Sequence, residues 1–257
     1  MIKVYADREA LSLAAAGLIA EEARAAVRDR GRFSIALAGG ETPRAVYALL
    51  ARNPLRDMIP WEGVHVFWGD ERYVPPDDPR SNGRMARQAF LDYVRVPAAQ
   101  IHPIPYRSSP RGSAVEYEDI LAAFFACGAS RFDMVLLGLG ENGHTASLFP
   151  GTSALEERKR WVTEVYVAEQ DLFRVTLTTP LINRAALVVF IVSGGGKAAI
   201  LREVLEGARN PRRLPAQLIN PINGRLLWLV DRDAARLLQQ DNSINVPAGH
   251  NLKLIHS

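Results

Sequence analysis

Five short apolar runs recur along the chain, and polar, glycine-containing segments follow most of them. The runs are 33–38 (FSIALA), 64–69 (VHVFWG), 134–140 (MVLLGLG), 186–193 (ALVVFIVS) and 226–230 (LLWLV). Runs of this length that are rich in valine and isoleucine are typical of strands buried on both faces of a sheet. We therefore predict five such strands, and the pattern of 174–179 (RVTLTT) is compatible with one more.

Helical patterns lie between these strands. Asp7 can cap a long alanine-rich helix that ends near Gly31, and Thr42 with Pro43 can open a second helix as its N-cap and first residue. Helical spacing is also found in 81–94, 113–126 and 197–206. This alternation predicts an α/β fold with a doubly wound, mostly parallel sheet.

Composition supports one folded unit. The chain has 257 residues, of which 48% are hydrophobic and 23% charged, so it can bury a substantial core. We find no repeat or linker, and we predict a single domain over 1–257. The net charge of +3 is spread along the chain, which does not indicate nucleic-acid binding but suits a small anionic ligand.

The compartment is inferred from cysteine use and from hydropathy. The single cysteine, Cys127, cannot form an internal disulfide and reads best as a small buried hydrophobe. The N-terminal MIKVYADREA lacks the layout of a signal peptide, and no apolar stretch reaches the roughly 18 to 20 residues of a membrane span. We therefore expect a cytoplasmic protein without membrane contact.

Polar segments follow several predicted strands directly. AGGETP follows FSIAL, GDER follows VHVFW, GLGENGH follows MVLL, and SGGGK follows VVFIV. In open parallel sheets, ligands bind beyond the carboxyl ends of the strands. The four loops are therefore predicted to converge on one crevice.

Two of these loops contain groups suited to phosphates and sugars. Gly39 and Gly40 permit a tight turn before a helix N-terminus, which is an anion site, and Thr42 adds a hydroxyl donor. In the next loop, Arg72 suits a phosphate or carbonyl oxygen, and Asp70 suits sugar hydroxyls. For the first loop, the alternative is an ordinary strand-to-helix turn. For the second, it is a solvated cluster of charges at the surface.

The SGGGK loop places a cation where a helix begins. Lys197 is predicted in the first helical turn, where its charge opposes the helix dipole unless an anion compensates it. The loop is not a Walker A motif, because Ile191 stands at its first glycine and Ala198 at its Ser/Thr position. The pattern therefore argues against a nucleoside triphosphate.

The stretch GLGENGHTASLFPGT (138–152) has the spacing G-x-G-x-x-G, a weak signal for a dinucleotide site. Such a site needs a sizeable helix after the glycines, yet Pro150 comes only seven residues after Gly143. The alternative is that His144 performs chemistry. An imidazole near a helix N-terminus and a cationic loop favours its neutral form, which can accept a proton.

The other histidines have structural interpretations: His65 lies within a strand, His102 in a proline-rich stretch, and His250 and His256 near the C-terminus. No G-x-S-x-G elbow occurs, and no His or Cys pair has metal-ligand spacing, so we expect no metal site. The function that remains is general-base catalysis combined with phosphate recognition. The alternative for His144 is a purely structural role in its turn.

Taken together, these motifs resemble one family. AGGETP, FWGDERYVPPDDPRSN, LLGLGENGHTASLFPGT, RVTLT and VSGGGKA, in this order, resemble the 6-phosphogluconolactonases over about residues 33–230. The resemblance implies a Rossmann-like domain of the NagB/RpiA/CoA-transferase type, related to glucosamine-6-phosphate deaminases. It also implies hydrolysis of 6-phospho-D-glucono-1,5-lactone to 6-phosphogluconate without a cofactor.

The resemblance also implies roles for individual residues. His144 would be the general base. We also expect Asp70, Asn142 and Gly143 in the substrate site. The groups that the resemblance implies for binding the phosphate and orienting the lactone are Gly39, Gly40, Thr42, Arg72, Arg174 and Lys197. Arg174 is the weakest of these, because a surface arginine on an edge strand is its alternative. Asn142 departs from the aspartate frequent in the family, and an amide can only orient the histidine or a water.

Two other functions stay open. Deaminases carry Asp and Glu for ring opening where this chain has Asn142 and Phe149, which argues against a deaminase. A non-catalytic sugar-phosphate sensor would keep the pocket but show no turnover, and Asn142 mildly favours it. For the lactonase, the expected partner is the small-molecule substrate alone, with the chain as a monomer or weak homodimer.

Overall fold

The structure, a computed structural model, describes residues 1–126 and 131–239 and the backbone of 244–245. The strands are β1 (Ile2–Tyr5), β2 (Phe33–Leu37), β3 (Val64–Trp68), β4 (Asp70–Arg72), β5 (Met134–Leu137), β6 (Val162–Val167), β7 (Leu172–Leu177), β8 (Leu187–Val192), β9 (Arg225–Asp231) and β10 (Ile244–Asn245). The helices are α1 (Arg8–Arg30), α2 (Glu41–Leu50), α3 (Leu55–Met58), α4 (Asn82–Ala89), α5 (Pro110–Ala126), α6 (Thr179–Ile182), α7 (Ala198–Glu206) and α8 (Arg232–Ala235).

A parallel sheet forms the centre of the molecule. In the described part of the chain it has seven strands in the order β10-β1-β9-β8-β5-β2-β3, and all neighbouring strands run parallel. Every residue of the central strands β5 and β8 is buried, which explains why their sequences are apolar throughout. The five predicted strands are confirmed as β2, β3, β5, β8 and β9, whereas β1 and β10 were not predicted.

Helices cover both faces of this sheet. Along β5, Met134 and Leu136 belong to the core that packs against α1, α2 and α4. Val135 and Leu137 point to the opposite core, which contains residues of α5 and α7. This alternation follows from the two-residue period of a strand. The predicted doubly wound α/β fold is therefore confirmed.

Helix α1 begins and ends where the sequence indicates. The Asp7 carboxylate accepts a hydrogen bond from the Ala10 N–H at 2.8 Å. At the other end, Gly31 adopts the left-handed conformation (φ 74°) and its N–H bonds Val27 O at 2.8 Å. These groups satisfy backbone donors and acceptors that the helix ends would otherwise leave free.

Helix α2 differs from the prediction at its start. Gly40, with φ 100°, is the N-cap, and the helix begins at Glu41 rather than after Thr42. A glycine can enter the helix from this conformation, which other residues rarely adopt, so the chain needs no hydroxyl cap. Thr42 and Pro43 therefore occupy the second and third helical positions. Among the described residues no side chain caps the first turn, and its backbone donors without a bond inside the helix are the N–H groups of Glu41 and Thr42.

Other helix boundaries shift by a few residues. The helix predicted over 81–94 ends at Ala89, because Phe90 leaves the helical conformation (φ −156°) and a 3-10 turn follows. The helix predicted from 113 begins at Pro110. Lys197 was expected in the first turn of α7 but ends a 3-10 turn, Gly195–Lys197, directly before it.

A second, antiparallel sheet stands apart from the first, with strand order β4-β7-β6. The pattern at 174–179 does mark a strand, since β7 runs to Leu177, but this strand is the middle of the small sheet. The register places Arg174 of β7 directly opposite Arg72 of β4. Arg174 is only 7% exposed, so the alternative of a surface arginine on an edge strand is wrong.

Three residues interpreted from the sequence, Cys127, His250 and His256, lie outside the described residues. Among the helices that the structure describes, none combines the length and the apolar character that crossing a membrane requires.

Candidate active site

A cleft of about 530 Å³ opens at the carboxyl edge of the parallel sheet. The loops that follow β2, β3, β5 and β8 all line it, which confirms that these segments converge. Further lining comes from the turn between β6 and β7. The lining side chains and glycines with chemical relevance are Gly39, Gly40, Asp70, Arg72, Asn82, Gly140, Glu141, Asn142, His144, Phe149, Glu169, Gln170, Arg174 and Lys197.

Backbone hydrogen bonds fix the tight turn that carries His144. Gly140 N–H donates to His144 O at 2.8 Å, and Gly143 N–H donates to Gly140 O at 3.0 Å. Gly143 has φ 80°, which a glycine adopts readily. A Cβ on Gly140 would lie 2.0 Å from His144 Nδ1, so only a glycine leaves room for the imidazole.

Asn142 sets the tautomer of His144. Its Oδ1 lies 2.6 Å from His144 Nδ1 and also accepts the backbone N–H of His144 at 3.2 Å. The backbone N–H can only donate, so the amide atom facing both nitrogens must be the oxygen. Nδ1 therefore carries the proton, and Nε2 is left with a free lone pair. This is the form that can accept a proton from water.

The imidazole stacks on Phe149, with ring centroids 4.0 Å apart and an angle of 22° between the rings. Burial in this position lowers the pKa of His144 to about 4. The neighbouring cations Arg174, Lys197 and Arg72 lower this pKa as well, while Asp70 acts in the opposite direction. The lowered pKa agrees with the prediction of a neutral histidine. That prediction rested on nearby positive charge, whereas burial lowers the pKa more than the cations do.

Asp70 lies beneath the cleft and is held by protein donors. Its Oδ2 accepts from Ser147 Oγ at 2.6 Å and from Arg174 at 3.4 Å, and its Oδ1 accepts from Asn82 Nδ2 at 3.3 Å. Only 6% of the residue is exposed. The carboxylate thus connects the segment after β3 to β7 through Arg174, and to the loop that carries His144 through Ser147. Its expected hydrogen bond to a sugar hydroxyl stays a prediction.

Arg174 lies close to the histidine as well as to Asp70. Its guanidinium carbon is 5.5 Å from the centroid of the Phe149 ring, so guanidinium and imidazole both contact this ring. Burial lowers the pKa of Arg174, and the Asp70 carboxylate opposes this change. The Nε atom is buried and has no hydrogen-bond partner among the described residues.

Glu71 organises the neighbouring loop without reaching the cleft. Its carboxylate accepts from the backbone N–H groups of Arg72, Asn82 and Gly83, each at 2.7 Å. Burial raises the pKa of Glu71, and these hydrogen bonds to the charged form oppose that change. Arg72 donates to Arg80 O at 2.6 Å, while its buried Nε has no partner within the part of the chain that the structure describes.

Lys197 reaches the cleft from the glycine-rich turn after β8. Its Nζ lies 3.9 Å from Glu141 Oε1, on the loop after the neighbouring strand β5. The Glu141 side chain is 84% exposed, and a pair so accessible to water contributes little free energy. Lys197 can therefore exchange this partner for an anionic ligand.

The structure brings most of the predicted site residues together. Gly39, Gly40, Asp70, Arg72, Asn142, His144, Arg174 and Lys197 all line the cleft. Thr42 and Gly143 do not. Thr42 was expected to present its hydroxyl as an N-cap, but Gly40 has that position and Thr42 lies further into α2. Gly143 turns the backbone instead, and a Cβ there would lie 2.8 Å from Leu214.

Sequence reasoning missed several lining residues, among them Asn82, Glu169 and Gln170. Asn82 follows Ser81, which caps α4 by accepting the Arg84 N–H at 3.0 Å. The predicted helix over 81–94 includes this position, but a helical pattern does not show that its first residue faces a cleft. A Cβ on Gly39 would lie 2.1 Å from Asn82 Oδ1, so the glycine admits this side chain. Gln170 accepts a hydrogen bond from Arg174. No sequence pattern predicted the turn that contains Gln170.

Among residues 1–126 and 131–239, no group of three or more His, Cys, Asp or Glu side chains could hold a metal ion.

Fold and site together define an α/β protein whose cleft, at the carboxyl edge of a parallel sheet, combines a neutral histidine with cationic side chains. The family described as "Glucosamine-6-phosphate isomerases/6-phosphogluconolactonase" matches residues 6–228. The chain belongs to this family.

Several relatives are similar over most of their length. A 6-phosphogluconolactonase of Synechocystis sp. is 48% identical over 219 residues, which are 83% of this chain and 88% of the relative. One from Mycobacterium tuberculosis is 39% identical over 92% of this chain and 98% of the relative. The solved 6-phosphogluconolactonase of Trypanosoma cruzi has a TM-score of 0.82 and 30% identity, covering 93% of this chain and 96% of that one.

A solved monomeric glucosamine-6-phosphate deaminase is also similar, with a TM-score of 0.79 over 92% of this chain and 100% of that chain. Its sequence is 23% identical, and this likeness shows the shared fold alone.

Proposed function

We propose that this protein hydrolyses 6-phospho-D-glucono-1,5-lactone to 6-phospho-D-gluconate, a step of the oxidative pentose phosphate pathway, and that His144 is its general base. The curated relatives named 6-phosphogluconolactonase, at up to 48% identity among those compared, support the reaction. The observation that supports the role of His144 is its Nδ1 contact with Asn142 inside the cleft. That contact leaves Nε2 free to take a proton.

In the proposed reaction, His144 Nε2 removes a proton from a water molecule as the water oxygen attacks the lactone carbonyl carbon. The carbonyl oxygen becomes an oxyanion, which Arg72 stabilises together with those backbone N–H groups of the glycine-containing loops that are not already bonded within their turns. When the oxyanion collapses, the bond between the carbonyl carbon and the ring oxygen breaks. The imidazolium returns its proton to that ring oxygen, and the product is an open-chain acid. No metal or organic cofactor enters these steps.

The phosphate would bind where cations and free backbone N–H groups meet. Arg72 and Lys197 line the cleft, and the uncapped first turn of α2 supplies N–H donors beside Gly39 and Gly40. Arg174, closer to the histidine, would orient the lactone ring. Thr42 is retained in this proposal only through its backbone, because its side chain does not line the cleft.

The proposal is tested by proton release from freshly prepared 6-phosphogluconolactone, with the spontaneous rate subtracted. We expect wild-type turnover, and replacement of His144 by Ala should lower kcat by roughly 10²- to 10⁴-fold, the usual value of a positioned general base. His102→Ala, outside the cleft, is the control. Unchanged turnover in His144→Ala would refute the role of this residue.

Two parallel assays test the two alternative functions. Release of ammonium from glucosamine 6-phosphate would indicate a deaminase, although this chain has Asn142 and Phe149 where the resemblance implies the carboxylates of deaminases. Binding of 6-phosphogluconate without turnover of the lactone would indicate a sensor.

We also propose a cytoplasmic location and a monomeric or weakly dimeric state. Cell fractionation and sedimentation velocity test these two points separately from the reaction.

A further inference from the structure

A buried carboxylate at the end of β9 is bonded to the loop that carries Lys197. The register pairs Val192 of β8 with Val230 of β9, so Asp231 and Ser193 occupy neighbouring positions where the two strands end. Asp231 is 3% exposed. It belongs to none of the four loops predicted to converge, and it does not line the cleft.

Asp231 binds the start of the glycine-rich turn with both oxygens. The Gly194 N–H lies 3.1 Å from Oδ1 and 3.0 Å from Oδ2, and Ser193 Oγ donates to Oδ2. Oδ1 also accepts from the Ala234 N–H at 2.8 Å, which caps α8. The carboxylate is thus shared between a helix cap and the turn after β8.

One residue separates this carboxylate from the backbone of the lysine. Gly194 donates its N–H to Asp231, and its carbonyl oxygen accepts the Lys197 N–H at 3.0 Å. Gly194 has φ 95°, a conformation that side chains disfavour. The hydrogen bonds therefore hold Gly194 from both sides, and the 3-10 turn that ends at Lys197 starts from a fixed point.

We propose that Asp231 is a positioning residue for Lys197. By fixing the Gly194 peptide it sets where the lysine Nζ enters the cleft, and so determines how well the enzyme binds the phosphate of its substrate. This inference rests on the proposed function. It assigns Asp231 no contact with the substrate.

The test compares a phosphorylated with an unphosphorylated substrate. Asp231→Asn keeps the shape of the side chain but replaces the charged acceptor by a neutral amide with one acceptor oxygen. That oxygen must serve the Gly194 and Ala234 N–H groups together, so the hydrogen bond that holds the Gly194 peptide weakens. We expect KM for 6-phosphogluconolactone to rise roughly tenfold, the equivalent of one hydrogen bond to a charged group, with kcat within about twofold. The kcat/KM for glucono-δ-lactone should stay unchanged.

A double-mutant cycle separates positioning from general damage. If Asp231 acts through Lys197, Asp231→Asn should add no further loss in a Lys197→Ala background. Asp7→Asn is the matched control, because Asp7 also caps a helix at this edge of the sheet without contacting the glycine-rich turn. We expect it to leave both substrates unaffected.

The inference is overturned if Asp231→Asn weakens both substrates equally, or if its effect persists without Lys197. If Asp231→Asn does not fold, Ser193→Ala removes one donor and leaves the cap of α8 intact. That variant should then show the same KM shift on a smaller scale, and an unchanged KM would also overturn the inference.

Calorimetric binding of 6-phosphogluconate provides a readout that does not need turnover. Asp231→Asn should weaken this binding by a similar factor, and unchanged affinity would contradict the inference. A wild-type protein that binds the product without hydrolysing the lactone would refute the proposed function instead, so the two failures can be told apart.

Discussion

Asn142 Oδ1 contacts two nitrogens of the same residue, His144 Nδ1 at 2.6 Å and the His144 backbone N at 3.2 Å. A neutral amide therefore directs the imidazole without adding charge beside it. A carboxylate in this position would direct the ring as well but would also favour its protonated form. The pKa of about 4 for His144 is consistent with this arrangement.

We predict that Asn142→Asp shifts the pH dependence of the reaction. The new carboxylate would raise the pKa of His144 by roughly one to three units, because an opposite charge at this distance stabilises the imidazolium. The acid limb of kcat/KM, expected near pH 4 in the wild type, should move upward. Initial rates between pH 4 and 8 measure this shift.

The matched variant Asn142→Leu removes the acceptor without adding charge. It should leave the acid limb in place and lower kcat about tenfold, the rate equivalent of one lost hydrogen bond. Identical pH profiles for Asn142→Asp and the wild type would contradict this account of the site.

Gly140→Ala should disable the histidine without unfolding the chain. The added methyl group would lie 2.0 Å from Nδ1 and 2.1 Å from Cε1 of His144, so the ring must leave its position. We expect kcat to approach that of His144→Ala, while the circular dichroism spectrum stays native.

Gly17→Ala is the control for Gly140→Ala, since a Cβ there meets no described atom within 4 Å. If the clash with the imidazole is the cause, Gly140→Ala should have little further effect once His144 is replaced by Ala. A full additional loss in that double variant would assign Gly140 a different role.

Lys197→Ala should discriminate between substrates. Loss of a charged hydrogen bond to the phosphate is expected to lower kcat/KM for 6-phosphogluconolactone roughly 10- to 150-fold. Hydrolysis of glucono-δ-lactone should change by less than about twofold. Lys159→Ala, at an exposed position outside the cleft, is the control for lost positive charge. Equal losses on both substrates would show that Lys197 does not bind the phosphate.

Acid should destabilise the protein before its carboxylates titrate. Burial lowers the pKa of both His144 and His102 from 6.5 to about 4, so the folded protein keeps these imidazoles neutral. In the unfolded chain these histidines have a pKa of about 6.5 and take up protons below that pH. The free energy of the unfolded state therefore falls relative to that of the folded state. The free energy of unfolding should therefore decrease as the pH falls from about 6.5 towards 4.

Urea unfolding at several pH values measures this decrease. His144→Gln and His102→Gln should each flatten the slope in that window. Asp78 and Glu157, whose pKa values are lowered to about 2, contribute at lower pH. Constant stability between pH 7 and 4.5 would contradict the neutral state of the two histidines.

The sequence indicates the central sheet well, because strands such as β5 and β8 are buried on both faces and apolar throughout. It indicates the four loops for the same reason, since each begins where an apolar run stops. The short strands β1 and β4 carry mixed sequences and form through tertiary pairing, so no local pattern reveals them.

Within the site, residues on the predicted loops were found, whereas those that depend on distant contacts were missed. Asn82 lies in the cleft because Glu71, eleven residues earlier, accepts its backbone N–H. Asp231 is bonded to Gly194 across two strands that are adjacent only in the folded chain. Thr42 was misplaced because the conformation of Gly40, which starts α2, is not visible in a sequence.

The small sheet sets Arg72 and Arg174 opposite each other on neighbouring strands. Like charges in such cross-strand positions repel, and the Asp70 carboxylate, 3.4 Å from Arg174, offsets part of this repulsion. An anion that bridges the two guanidinium groups would reduce the remaining repulsion. The melting temperature should then rise with the concentration of sugar phosphate or even of buffer phosphate, and the protein's resistance to heat would follow the supply of its metabolite.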